Sequence, residues 1–444
     1  MPTELLSPAG TLKSMRYAFA YGADAVYAGQ PRYSLRVRNN EFNKLENLEA
    51  AIAEAHGQGK LFYLASNLSP HNDKVRSYLR DLEPVIAMKP DALIMSDPGL
   101  IMMVRENWPE QAVHLSVQAN AVNYATVKFW AKQGIERVIL SRELSLDEVE
   151  EIRQQCPEVE LEVFVHGALC IAYSGRCLLS GYMTHRDSNQ GACTNSCRWE
   201  YNAHPATETD TGDLIAVESV TSSGASPESW SPDEVEPVLL QEKSRPGEYL
   251  PAYEDEHGTY IMNSKDLRAV QHVERLVKMG VHSLKIEGRT KSHYYVARTA
   301  QVYRQAIDAA HRGEPFDMAL MSQLEHLANR GYTEGFYRRH VPSEYQNYEK
   351  GVSDNSSQQF VAEAIAYDAA SGWLTLDVKN RFEQGDPVEL ITPSGNLQFK
   401  VEALEKHDGS RIDVAPGSGH IVKISAPNLP LNETGGYAML MRHL

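Results

Sequence analysis

The strongest constraint on this chain is a repetition. From residue 4 to about 312, short apolar runs alternate with segments whose apolar residues fall at helical spacing, and the repeat is roughly 25–35 residues. The runs are ELLSPA (4–9), DAVYAG (24–29), LFYLAS (61–66), ALIMSD (92–97), VHLSVQ (113–118), RVILSR (137–142), LEVFVHG (161–167), YIMNS (260–264) and SLKIEG (283–288). Segments such as NLEAAIAEAHGQG and VNYATVKFWAKQG follow them. Gly22, Gly57, Gly134 and Gly280 stand where helices end on a residue with positive φ. Strands alternating with helices in this way imply a parallel sheet with helical crossovers. About eight such units predict an α/β fold, a closed TIM-like (β/α)8 barrel. One of the nine runs is then irregular or outside the barrel. A doubly wound open sheet is the alternative; it usually carries a phosphate-binding glycine fingerprint after its first strand, and LSPAGTLKS is not one.

The rhythm breaks twice. Residues 204–258 are rich in Ser, Thr, Pro and acid, and read as a long acidic insertion, a lid or a plain surface loop. After about residue 341, FVAEAIAYD, WLTLDVK, PVELITP, LQFKVEALEK, RIDVAP, IVKISAP and YAMLMRH read as short strands separated by turns. The expected organisation is a barrel over 1–340, a linker over 341–358, and a small all-β barrel domain over 359–444.

The net charge of −16 argues at first against nucleic acid. Its distribution removes the objection. Residues 204–258 hold 13 acidic side chains against Lys243 and Arg245, which leaves only −5 for the rest of the chain. Local basic clusters, not net charge, make a nucleic-acid surface. No apolar run reaches about 18 residues, so no membrane span is expected. MPTELLSPAG lacks the basic and apolar regions of a signal peptide. The expected location is therefore cytoplasmic, where clustered cysteines more often bind metal than form disulfides.

Four of the five cysteines lie close together, as Cys170-x6-Cys177-x15-Cys193-x3-Cys197. They follow the run LEVFVHG, at the end of the barrel where active sites lie. Four thiolates suit a 4Fe–4S cluster or a structural zinc. Zinc sites use pairs two to four residues apart, which the x6 gap fits poorly. Cys156, in a helical pattern, reads as an ordinary buried thiol. Other strand ends carry Ser7, Asn67, Asp97, Gln118 with Asn120, Arg142 with Glu143, His166, Asn263–Asp266 and Glu287–Arg289. Singly, such residues often cap helices; together they favour a site. Arg142, Arg176, Lys285 and Arg289 would suit an anionic ligand, unless they close salt bridges with Glu143 and Glu287. Those two carboxylates and His166 are the candidate acid–base groups.

Glu162-x-Phe164-x2-Gly167-Ala168-Leu169-Cys170-x4-Gly175-x-Cys177-x-Leu179-Ser180 resembles the signature of the collagenase-like peptidase family U32. ELLSPAG, LSREL, CRWEY, NSKDL and SLKIEGR occur in the order that family shows, and the likeness spans nearly the whole chain. RYSLRVRNNEF, DALIMSDPGL, HLSVQANAVN, SLKIEGRTKS and RGYTEGF resemble its branch of prephenate-dependent tRNA uridine hydroxylases. The resemblance implies 5-hydroxylation of the wobble uridine, an iron–sulfur cluster on Cys170, Cys177, Cys193 and Cys197, prephenate as co-substrate, the tRNA anticodon loop as partner, and dependence on iron–sulfur assembly machinery. Hydroxylating an sp² carbon needs oxidising equivalents that side chains do not supply, and a cluster would provide them. Prephenate, a dicarboxylate, would sit on Arg142, Arg176, Lys285 and Arg289. A splayed base would meet Tyr294, Tyr295 or His166, and Arg32, Arg36, Arg38 and residues 338–340 would touch phosphates. A peptidase and a non-catalytic, metal-stabilised RNA-binding protein are the alternatives. Neither HExxH nor Gly-x-Ser-x-Gly occurs.

Overall fold

A computed structural model of the chain describes residues 2–35, 40–169, 201–208, 214–216, 238–242, 249–252, 266–325, 327, 332–338 and 358–443. The strands run β1 (Glu4–Pro8), β2 (Ala25–Gly29), β3 (Leu61–Ser66), β4 (Ala92–Met95), β5 (Val113–Leu115), β6 (Arg137–Ile139) and β7 (Glu160–Ala168). Then follow β8 (Tyr201–Glu208), β9 (Leu214–Ala216), β10 (Val238–Glu242), β11 (Tyr249–Ala252), β12 (Asp266–Arg268) and β13 (Ser283–Ile286). Strands β1 to β7 pair in parallel, each with the next, and β13 pairs in parallel with both β7 and β1. Eight strands thus close on themselves, and the open-sheet alternative is excluded. Eight of the nine predicted runs supply them. The ninth, YIMNS, lies outside the described residues.

Helices cover the barrel: α1 (Leu12–Ala20), α2 (Leu45–Gly57), α3 (Asn72–Ala87), α4 (Pro98–Asn107), α5 (Tyr124–Lys132), α6 (Leu146–Gln155), α7 (Val273–Lys278) and α8 (His293–His311). Their starts are written in the sequence. Asp97, Asn123 and Ser292 each accept a backbone N–H of the first turn, and Ser145 with Glu148 forms a reciprocal capping box. Asp97 is therefore a cap and not part of a site. Gly22, Gly134 and Gly280 take positive φ as expected, whereas after α2 that role falls to Gly59 and not Gly57. Cys156 is buried and free.

Beginning just before the acidic insertion and running into it, β8 to β11 form a four-stranded antiparallel sheet in the order β11-β10-β8-β9. Strand β12 runs antiparallel to β7, with Asp266 opposite Ala168, and its other side takes β14 (Tyr332–Thr333).

The C-terminal region corrects one expectation. It contains β15 (Gln358–Asp368), β16 (Trp373–Val378), β17 (Phe382–Glu383), β18 (Pro387–Thr392), β19 (Gly395–Lys400), β20 (Leu404–Lys406), β21 (Val414–Ala415), β22 (Ile421–Ser425) and β23 (Met439–His443). Seven strands form an antiparallel sheet in the order β19-β18-β23-β15-β16-β22-β20, and β17 pairs with β21. The end strands β19 and β20 do not pair with each other, so the sheet is open and the predicted small all-β barrel is not formed. The run LQFKVEALEK, read as one strand, divides into these two edges.

This sheet packs on α1 and α8. The Tyr21 hydroxyl donates to the carbonyls of Ile391 and Tyr437, each at 3.0 Å. The Tyr294 ring stacks on Phe360, with centroids 5.4 Å apart. Ile391, Met439 and Met441 belong to the same buried cluster as the barrel core. Arg298, 1% exposed, reaches Glu389 at 3.4 Å. Lys13 lies 2.6 Å from Glu363, which also pairs with His293. Burial would raise the Glu363 carboxyl, but the hydrogen bonds from His293 and Lys13 hold it at about 2.

Candidate functional site

The C-terminal ends of the barrel strands enclose a cavity with an empty volume of about 580 Å3, including its open entrance. Its walls draw on strands all round the barrel. Tyr27 stands on β2, Asn67 follows β3, and Ser116 and Gln118 follow β5. Arg142 follows β6, Phe164 lies on β7, and Lys285, Glu287 and Arg289 lie on or just past β13. Period-two alternation explains the last set: Lys285 and Glu287 share the inward face, as do Glu162 and Phe164 on the neighbouring strand.

Among the described residues, three cations line this cavity. The Arg142 guanidinium lies 3.7 Å over the Phe164 ring and bonds Glu287 at 3.1 Å. Lys285 Nζ is 2.7 Å from Glu162 Oε1 and 4.4 Å from the Tyr27 ring centre. Arg289 donates to Ser34 Oγ at 2.8 Å and sits 5.7 Å over Tyr27. Burial lowers the Lys285 pKa, and the Glu162 carboxylate works against that shift. Below Lys285 the barrel floor is an ionic network. Arg137 reaches Glu4 at 2.6 Å, Glu160 at 2.7 Å and Glu162 at 3.4 Å, while Tyr63 and Ser283 donate to Glu4. His114, buried beside Arg137 and Lys285, is held well below its usual pKa, first by desolvation and then by those two cations.

The candidate residues therefore divide. Arg142, Lys285, Glu287 and Arg289 surround one cavity. Glu143 does not line it, and its Oε2 is buried without a hydrogen-bond partner among the described residues. His166 also stands apart. A register shift between β13 and β7 falls at His166. The ring packs under α8, within 6 Å of Tyr295, Tyr303 and Tyr332. Its Nδ1 is 3.3 Å from the Tyr303 hydroxyl, which donates to the Val165 carbonyl at 2.6 Å. Burial, then the charges of Arg268 and Lys291, push His166 down to about 3, so it is neutral at pH 7. Tyr294 and Tyr295 are packing residues: Tyr294 faces Phe360, and the Tyr295 hydroxyl donates to the Glu287 carbonyl at 2.9 Å. Arg32 pairs with Asp81 and Arg338 with Glu334. Arg36, Arg38, Arg176, Arg339 and His340 lie outside the described residues.

Tyr27, Ser34 and Ser116 were not singled out from sequence, and Glu162 and Phe164 entered only within a signature. Alternation along β7 and β13 was the available signal for Glu162, since it places a carboxylate and a lysine on the inner faces of adjacent strands.

The expected 4Fe–4S cluster with prephenate requires correction. Among the described residues, no group of three or more His, Cys, Asp or Glu side chains is arranged to hold a metal. Glu162 and Glu287 are instead engaged by Arg and Lys. Cys170, Cys177, Cys193 and Cys197 lie outside the described residues. No described helix is long and apolar enough to cross a membrane.

Comparison with known proteins gives a consistent result. The model of peptidase family U32 matches residues 10–347, and that of the peptidase family U32 C-terminal domain matches residues 356–442. The chain is 61% identical over 443 residues to tRNA hydroxylation protein P of Escherichia coli (strain K12), covering 99% of this chain and 96% of that one. It is 60% identical over 449 residues to tRNA hydroxylation protein P of Haemophilus influenzae, with 99% and 96% covered. It is 27% identical over 445 residues to 23S rRNA 5-hydroxycytidine C2501 synthase of Escherichia coli, covering 97% of this chain and 59% of that one.

Proposed function

The chain belongs to peptidase family U32, and from that membership we propose that it is a tRNA-modifying enzyme that hydroxylates C5 of the wobble uridine. One observation carries the reading: identity of 60–61% along 99% of the chain to two proteins named for tRNA hydroxylation. A relative named for a 5-hydroxycytidine product supports C5 of a pyrimidine as the reacting carbon. The barrel mouth is compatible with such a substrate. It is concave, and Arg142, Lys285 and Arg289 lie over the Tyr27 and Phe164 rings that line it. A base within a folded RNA has to leave its stack to enter such a cavity.

The peptidase reading rests on the family's name and finds no accessible histidine in His166. His166, which lies within the family signature, is 1% exposed and surrounded by tyrosines.

The test is genetic and chemical. The gene is deleted, bulk tRNA is digested, and 5-hydroxyuridine and nucleosides built from it are quantified by mass spectrometry. Their loss, restored by the wild-type gene, is the expected result. Unchanged levels in a strain with no second route to the modification would refute the proposal.

A further inference from the structure

The cavity distributes its hydrogen-bonding groups unevenly. Asn67 Oδ1 accepts from the Leu35 N–H at 3.4 Å, which turns the Asn67 amino group toward Ser116 Oγ, 3.5 Å away. Ser116 Oγ in turn donates to Gln118 Oε1 at 3.4 Å. The relay runs one way, and it ends by occupying the carbonyl oxygen of Gln118. Gln118 is 7% exposed and lines the cavity, and its Nε2 has no partner among the described residues. Donors thus prevail around this space. Arg142 and Lys285 add more of them, and the acceptor Glu287 is already engaged by Arg142.

We propose that Gln118, oriented by Ser116, is the specificity-determining residue that recognises the target base through a ring carbonyl. This rests on the tRNA-uridine reading above. Uracil presents carbonyl oxygens at C2 and C4 on either side of one N–H. Cytosine replaces the C4 carbonyl with an amino group, itself a donor. An unrestrained carboxamide rotates to suit either base and distinguishes nothing. A carboxamide whose oxygen is held by Ser116 offers only N–H to the ring, so it matches the C4 carbonyl and opposes the C4 amine. A buried donor facing a donor leaves both unpaired, and sites built this way discriminate by on the order of 100-fold or more. The device answers a need within the family, because a relative is named for a cytidine product.

The experiment uses a deletion strain carrying the full-length wild type, Gln118→Glu or Ser116→Ala. Each strain also carries a plasmid-borne tRNA with cytidine at the target position. Mass spectrometry reads 5-hydroxyuridine derivatives and 5-hydroxycytidine, and thermal melting of the purified proteins reports folding. Gln118→Glu replaces the donor with an acceptor. It is expected to lower the uridine product at least about tenfold and to produce 5-hydroxycytidine on the altered tRNA. Ser116→Ala frees the amide, and the uridine-to-cytidine product ratio should fall at least about tenfold. A merely structural role would lower both products together and leave the ratio unchanged. Gln118→Glu with wild-type uridine product, or unchanged selectivity in folded Ser116→Ala, would overturn the proposal. If Gln118→Glu does not fold, the Ser116→Ala ratio decides. If the wild-type gene restores no hydroxylated nucleoside, the tRNA reading itself fails and this inference goes with it.

Discussion

Removing Arg298 should unfasten the C-terminal sheet from the barrel. Its guanidinium, 1% exposed, meets both oxygens of Glu389 at 3.4 Å, Gln301 Oε1 at 3.2 Å and the Gln323 carbonyl at 3.3 Å. In Arg298→Met the Glu389 carboxylate stays buried without its cation. It keeps two neutral donors, Gln358 Nε2 at 3.0 Å and Asn396 Nδ2 at 2.9 Å. Breaking one side of a buried ion pair costs about 3–5 kcal/mol. The two remaining donors place this case near the lower end, at about 3 kcal/mol. For a domain of a few hundred residues that corresponds to a fall in Tm of roughly 6–12 °C. Scanning calorimetry measures it. Arg298→Met/Glu389→Leu removes both charges and should recover much of the loss, because an apolar replacement of a whole buried pair is often nearly neutral. A single-variant shift below about 2 °C, or a double variant whose loss is the sum of two large single losses, would refute the reasoning.

Two further predictions concern the barrel wall. His166 has a folded pKa of about 3 against an unfolded value near 6.5, so the unfolded state binds the extra proton between those limits. Its contribution to stability is complete above about pH 6.5 and is lost as pH falls toward 3; His166→Gln should flatten the melting temperature over that window, and a parallel pH profile would contradict the assignment. Gly167 has φ +100°, and a Cβ there would sit 2.3 Å from the Glu287 carbonyl oxygen. Gly167→Ala should cost on the order of 3 kcal/mol or prevent folding, and wild-type yield with an unchanged Tm would count against this.

The barrel was legible because its signal is periodic. Apolar runs such as ALIM in β4 and AVYAG in β2 are buried throughout, as a parallel strand between helices demands. A helix start was legible where a strand-end residue is also a good cap, as at Asp97. Closure of the C-terminal sheet was not. Whether β19 meets β20 is a fact about two distant edges, and no local pattern encodes it. The candidate site was legible to the same limit. Barrel logic grouped Arg142, Lys285, Glu287 and Arg289 at one end, where the structure sets them around one cavity. It also grouped His166 with them, and there the rule failed, since a register shift at the end of β7 accompanies a ring packed under α8. Partners fixed by tertiary approach, such as Ser34 for Arg289 or Glu389 for Arg298, leave no trace in either neighbourhood of the chain.

The ladder between β7 and β12 has an architectural consequence. The chain departs from the barrel at Ala168 and rejoins it at Asp266, and these two residues face each other across antiparallel strands. The two ends of the intervening span are therefore held side by side, as the feet of a hairpin are. Replacing that span with a short turn would leave the register of the staves untouched. By loop-closure entropy alone, it would even favour closure by about 3 kcal/mol. The strand that closes the barrel's rim thus also fixes where any such span must start and finish.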